Sequence, residues 1–439
     1  EEGDALCEDN QLLHSAKVDV VAKALANPYY TDEVARPVDP SAWVDKINVP
    51  VFLSGQWQDE QTGPHFAALL DKFTGSPHVS FVVGNGVHVD GFTPQVMLDW
   101  KIFLDLYVAR EVPTISEDLR LMTTLFMQSS TGVALELGEN PYADHTSYEV
   151  ALAEYEAVPP LRVIFETGAA ADMVIGAPVG SFEERFEAWP IPSTQARRWY
   201  FHADGTLGDG VPTDETAASV FNHDPEAGDR TTLDGSVSDL QPNYHYEPLI
   251  EGKALAFETP VLETNHVMIG HGSVDLFVSS TADDADLEVN LTEVRPDGME
   301  IYVQSGWLRA SHRGLRADAT ELRPVKTHRE KDNEPLILGE WHEVRVEIMP
   351  FAHVFRAGSR IRISVDTPGD SRADWRFLLL PHDDEVQHTI GHDVTYPSSV
   401  VLPLIPDIAV PTEAPAECTA LRGQPCRAYV SLENTPADG

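Results

Sequence analysis

Two short loops hold the residue types that acid–base chemistry needs. The first, SGQWQDEQTG, carries Asp59, and the second, GNGVHVDG, carries His88. An imidazole becomes an effective proton acceptor when a carboxylate holds one of its ring nitrogens. The carboxylate fixes the tautomer and stabilises the imidazolium. The other nitrogen can then take a proton from a nucleophile and give it to a leaving group. Glu60 and Asp90 are neighbouring carboxylates that could stand in for Asp59. Gly84 and Gly86 let the histidine loop turn sharply without Cβ clashes. Trp57, next but one to Asp59, is either a packing residue or part of a substrate pocket. Taken singly, an Asp after a strand is an ordinary turn or cap residue, and a His in a glycine-rich loop is an ordinary surface residue.

What singles the pair out is the framework around it. VPVFLSG (49–55) is a short apolar run ended by glycine and reads as a buried strand. PHFAALLDKF (64–73) reads as a helix with proline in its first turn. HVSFVVG (78–84) is a second strand, and PQVMLDWKIFLDLYVAR (94–110) an amphipathic helix. This spacing makes a βαβα unit with parallel strands. In open α/β sheets, chemistry gathers beyond the carboxyl ends of the strands. Asp59 and His88 each follow such an end, on strands one step apart, so their loops can meet. In the α/β-hydrolase chain order of nucleophile, acid and histidine, they stand as the last two members.

Outside this unit, residues 10–27 carry helical periodicity, and 113–160 are less readable apart from a short helix in SYEVALAEYEAV. From LRVIFETG (161–168) onward the strands become short and the turns frequent, with a strong hairpin signal in PDG at 296–298. This second part reads as an antiparallel β-sandwich of jelly-roll type. The fold class is α/β plus all-β: part of a parallel sheet with helices, followed by the sandwich.

The charge excludes some partners. With 71 acidic and 30 basic residues the net charge is −41, which leaves no basic footprint for nucleic acid and no attraction to an anionic membrane. It reads as a well-solvated surface, and the excess of Arg over Lys also fits a saline medium. No apolar run approaches the roughly 18 residues of a membrane span. Cys418 and Cys426 are spaced to close a small disulfide loop in an oxidising compartment, so a secreted or extracytoplasmic location is expected. Cys7 is then free or paired outside this chain, and nothing in the cysteine and histidine spacing suggests zinc. The opening Glu1-Glu2-Gly3-Asp4, without Met, looks like a processed or trimmed product.

KINVPVFLSGQWQDEQTG followed by VVGNGVHVDG resembles the cocaine esterase and X-Pro dipeptidyl-peptidase-like family of α/β-hydrolase serine hydrolases. NPYYTDEVARPVDPSAWVDKI resembles the return of that family's helical cap to the sheet. Residues 255–314 and GEWHEVRVEIMPFAHVFRAGSRIRISVDT resemble its jelly-roll domain, and the WP of EAWPIP and the DG of FHADGTL also fit. The resemblance covers nearly the whole chain and is weakest over 111–160. It divides the chain into the end of the cap (1–45), the C-terminal part of the hydrolase domain (46–115), a connection (116–160), the jelly roll (161–430) and a tail (431–439). It implies that Asp59 and His88 are the acid and base of the triad.

The sequence departs from the family at the nucleophile. A G-x-S-x-x-G elbow should lie well upstream, and SGQWQ, HGSVD, VGSFE and DGSVS all lack its glycine flanks or its strand–helix setting. Three explanations follow: a C-terminal product of a cleaved precursor bound to its N-terminal partner, a truncated form of a longer protein, or a non-catalytic remnant serving as a binding module. The expected chemistry is transfer of an ester or amide acyl group to water, without metal or organic cofactor. Trp57 is a candidate pocket residue. X-Pro dipeptidyl aminopeptidase activity is the alternative, and a homo-oligomer is neither required nor excluded. A non-catalytic module would have no reason to hold Asp59 and His88 within hydrogen-bond reach.

Overall fold

The first apolar run forms strand β1 (Val51–Gln56) and the second forms β2 (Val79–Gly84). They pair in parallel, from Val51 against Val79 to Gln56 against Gly84. The computed structural model describes residues 20–437 other than 370, 371, 374, 376 and 413. Cys7 and most of the helix expected over 10–27 lie outside these residues; its described end, α1 (Val20–Leu25), is helical.

Between β1 and β2 the chain departs from expectation. The helix read over 64–73 is a 3₁₀ segment, Pro64–Leu69. Buried Pro64 and Ala67 within it, and Leu70 and Phe73 just after it, recur at every third position, which is the period of a 3₁₀ helix rather than of an α-helix. The segment lies close on β1, because Gly55 has no side chain: a Cβ there would sit 2.5 Å from the Phe66 ring.

After β2 comes α2 (Pro94–Leu104), continued by a π-helical turn over Asp105–Ala109. The less readable stretch contains α3 (Glu117–Thr131). Ser116 caps it by accepting the Leu119 N–H at 3.2 Å, and left-handed Gly132 ends it. The short helix in SYEVALAEYEAV is α4 (Tyr148–Glu156). Strand β3 (Leu161–Phe165) then pairs in parallel with β2, and β4 (Phe182–Phe186) adds antiparallel at the edge. The sheet order is β1-β2-β3-β4. Residues 161–186, at the start of the span read as the jelly roll, thus supply two strands to the sheet of β1 and β2. LRVIF is buried along its whole length, as a central parallel strand is.

The remaining strands run in chain order. They are β5 (Gln195–Phe201), β6 (Leu207–Gly208), β7 (Ala218–Asn222), β8 (Thr232–Asp234), β9 (Asn243–His245), β10 (Ala254–Glu258) and β11 (His266–Ser280). Then follow β12 (Asp286–Val294), β13 (Met299–Arg309), β14 (His342–Phe355), β15 (Arg360–Asp366), β16 (Gln387–Gly391), β17 (Ser399–Ile405) and β18 (Cys426–Ala428). One sheet has the order β10-β15-β12-β13-β18; the other has β6-β5-β17-β11-β16-β7, with β14 also on β11. Leu276, Val289, Val346, Ile363 and Leu402 are among the side chains of the core between them. The PDG turn joins β12 to β13, with Gly298 left-handed at φ 81°. The expected tail packs on the sandwich: the Val220 N–H donates to the Thr435 carbonyl, and Ala437 N–H to that of Ala218.

Two strands serve both units. In β11 and β14 the outer stretches alternate in burial, whereas 267–274 and 348–355 are buried on both faces. One face feeds the sandwich core. The other places Val267, Ile269, Ala352 and Val354 against Trp57, Phe81, Leu161 and Phe165 of the parallel sheet. A shared apolar core thus fixes the sandwich on one side of β1–β3.

Candidate functional site

The pairing of β1 with β2 runs on into the loops that follow. Trp57 N–H donates to the Gly84 carbonyl at 2.8 Å, and Gln58 N–H to that of Gly86 at 3.1 Å. The two loops are therefore held side by side as one layer. Asp59 and His88 meet there: His88 Nδ1 lies 2.8 Å from Asp59 Oδ2. The other carboxylate oxygen of Asp59 accepts the Gln61 and Thr62 backbone N–H groups, each at 2.8 Å. Burial alone pushes this carboxyl up, but hydrogen bonds from Thr62, His88 and Gln61 outweigh it and hold Asp59 below the usual carboxylate range. Asp59 is buried, while the His88 side chain is 39% exposed. One ring nitrogen is thus committed to the carboxylate, and the opposite side of the ring is accessible.

The two alternative carboxylates have other partners. Glu60 accepts the His88 backbone N–H at 2.9 Å, which positions the histidine loop rather than its ring. Asp90 is buried, accepts the Val87 N–H at 2.9 Å and pairs with Arg422 Nε at 2.7 Å. Burial pushes its carboxyl up, against the pull of Arg422. Gly86 is required by this turn: a Cβ would lie 2.7 Å from Asp90 Oδ2 and 2.8 Å from Gln56 Oε1.

Trp57 is not a pocket residue. Its side chain is completely buried, stacked between Phe66 at 5.1 Å and Trp189 at 6.0 Å. The alternation of β1 turns it into the core shared with the sandwich. Cys418 and Cys426 are joined, with Cα atoms 5.7 Å apart.

Sequence reasoning missed the residues that brace these loops from the sandwich. Gln304 Nε2 donates to the Trp57 carbonyl at 3.1 Å, and Trp375 Nε1 to the Glu60 carbonyl at 2.9 Å. The loop closed by the disulfide supplies Arg422 to Asp90 and Gln424 to Asn85, whose Oδ1 in turn accepts the Thr167 N–H. Gln304 had a visible signal, a polar residue inside the apolar run of β13; the others lie in loops without one. Among the described residues, no hydroxyl or thiol is hydrogen-bonded to the His88 ring.

Residues 154–401 match the family model described as the X-Pro dipeptidyl-peptidase C-terminal non-catalytic domain. Asp59 and His88 precede that span. A Mycobacterium bovis protein named as a proposed serine esterase is 30% identical over 240 residues, covering 50% of this chain and 37% of that protein. The cocaine esterase of a Rhodococcus strain is 25% identical over 243 residues, covering 49% and 39%. The chain thus spans under two fifths of the length of these relatives. A crystal structure of a CocE/NonD family hydrolase from Staphylococcus aureus superposes with a TM-score of 0.59 at 16% identity, over 88% of this chain and 59% of that one. The matched domain, the relatives and the shared architecture agree: this chain belongs to the cocaine esterase and X-Pro dipeptidyl-peptidase-like family.

Proposed function

We propose that this chain supplies the acid, Asp59, and the base, His88, of a serine hydrolase whose nucleophile lies on a segment or partner chain outside it. The 2.8 Å contact between His88 Nδ1 and Asp59 Oδ2, at the carboxyl ends of adjacent parallel strands, carries this reading. A serine hydroxyl at the open side of the ring loses its proton to His88 Nε2 as it attacks an ester or amide carbonyl. Asp59, held ionised, stabilises the imidazolium. His88 then protonates the leaving group, and a water activated by the same nitrogen releases the acid.

Two observations support a second segment. The relatives are more than twice as long as the matched region. The outer edge of β1 carries no strand among the described residues, and a sheet edge of unpaired backbone groups accepts another strand. Small-molecule esters are preferred to X-Pro peptides because the matched relatives carry esterase names. The resemblance further reads the sandwich as a jelly roll, and the Cys418–Cys426 bond supports an extracytoplasmic location.

The test is direct. Polypeptides that co-purify with the chain are treated with a fluorophosphonate probe and assayed with an acyl p-nitrophenyl ester and with Ala-Pro-p-nitroanilide. His88→Ala is expected to lower ester turnover by about 10³-fold or more. Turnover near wild type in that variant would sink the assignment, and a preference for the anilide would favour the dipeptidase.

A further inference from the structure

Near its end the chain returns to the site in a loop closed by the Cys418–Cys426 bond. Three consecutive residues of that loop grip both site loops at once. Gly423 lies against the residues that immediately precede the pair: a Cβ there would sit 2.6 Å from Gln58 Cβ and 3.0 Å from Val87 Cγ1. Glycine alone can come so close, and its φ of 70° is left-handed as well. Arg422 Nε donates to Asp90 Oδ2 at 2.7 Å, and Asn85 Nδ2 donates to Gln424 Oε1 at 3.1 Å. The histidine loop is thus held on either side of His88. Arg422 and Gln424 are anchored in turn, by the Gly176 carbonyl at 3.0 Å and the Tyr302 carbonyl at 2.8 Å. The acid loop has braces of its own, from Gln304 and Trp375.

The bond keeps this loop in shape. Beside Cys418, Thr419 is left-handed at φ 72°, a conformation that a β-branched residue holds only where its surroundings impose it. The cross-link removes the freedom by which the segment would relax. Neither cysteine is fully buried, so a small reductant has access to the sulfurs. We propose that the Cys418–Cys426 bond is a redox latch on the Asp59–His88 site, and that Arg422 and Gly423 are the positioning residues through which it acts. The reductant is a dithiol. Its thiolate attacks one sulfur of the bond, forms a mixed disulfide and expels the other cysteine as a thiolate, which takes up a proton. Its second thiol then displaces the first cysteine, leaving two cysteine thiols and the oxidised dithiol. Thr419 relaxes, Gly423 withdraws from Gln58 and Val87, and the histidine loop loses its outer hold while the acid loop keeps Gln304 and Trp375. The two loops then move independently, and the hydrogen bond between Asp59 and His88 is lost for much of the time. The latch rests on the reading of Asp59 and His88 as a working pair, but it is measured on their geometry in this chain alone. A chain without turnover in any assembly would sink the hydrolase and leave the latch standing.

Hydrogen exchange and ring ¹⁵N spectra of the chain, before and after dithiothreitol, make the test, with His88 assigned by its loss in His88→Gln. Reduction is expected to speed amide exchange over residues 87–90 by at least about tenfold and to leave β12 and β15 unchanged. The His88 ring shifts should move from one tautomer toward a mixture of the two. Cys418→Ser combined with Cys426→Ser should reproduce both changes without reductant. Gly423→Ala, with the bond intact by mass, should shift the His88 ring signals by pressing on Gln58 and Val87. Unchanged ring signals and loop exchange after complete reduction would overturn the proposal, as would wild-type ring signals in Gly423→Ala. An equal rise of exchange over β12 and β15 would overturn it too, because the bond would then support the whole fold and not this site.

Discussion

Asp59 accepts hydrogen bonds from one ring and two backbone N–H groups in a loop nearly closed to water. Its depressed titration means that the folded chain prefers the ionised form. The stability this contributes is present above the unfolded Asp value of about 3.9 and is lost as pH falls through the folded value. Asp59→Asn removes that acid-sensitive share and turns an amide N–H₂ or its oxygen toward His88. The ring is then expected to change tautomer, visible in its ¹⁵N chemical shifts, and the proposed hydrolase, once paired with its nucleophile, to lose about 10⁴-fold in turnover. At Gly86 the constraint is spatial. Gly86→Ala places a methyl against Asp90 and Gln56 and should cost about 1–3 kcal/mol in urea unfolding.

At the scale of elements, the layer that holds Asp59 and His88 is two strand ends braced from outside. β1 and β2 were legible because each is a short apolar run with a glycine stop, and consecutive parallel strands must bring their following loops together. Helix α3 was not legible: Leu121, Met122, Leu125 and Phe126 are exposed on it, so its apolar residues do not mark a core-facing stripe, although Ser116 and Gly132 marked its ends. The braces could not be read at all. Arg422 reaches Asp90 across 332 positions and Trp375 reaches Glu60 across 315, and no local pattern encodes such a contact. Arg422→Ala should be the more damaging test of this layer. It leaves Asp90 buried without its cation and is expected to cost about 3–5 kcal/mol, while Arg422→Ala combined with Asp90→Asn should recover part of the loss in the same unfolding assay.

Over the whole molecule the charge of −41 works against compactness, so added salt should raise the thermal midpoint by screening repulsion. Acid acts in the opposite direction. His388 is fully buried, and burial beside His223 and His382 pushes it down to about 3. A histidine that must stay neutral to fold contributes stability that is complete above the unfolded value of 6.5 and is lost as pH falls toward 3. Midpoints measured from pH 7 to pH 4 should therefore fall, and His388→Gln should flatten the slope. Composition made the salt response readable, whereas the histidine response required knowing which strand faces are closed.

The strands β11 and β14 have a practical consequence for anyone dividing this chain. A fragment beginning after β4 would keep every strand of the sandwich and still expose Val267, Ile269, Ala352 and Val354 in one contiguous greasy scar. Such fragments should precipitate or self-associate in light scattering, whereas replacing those four side chains by Thr, Lys or Glu should yield a soluble, free-standing sandwich.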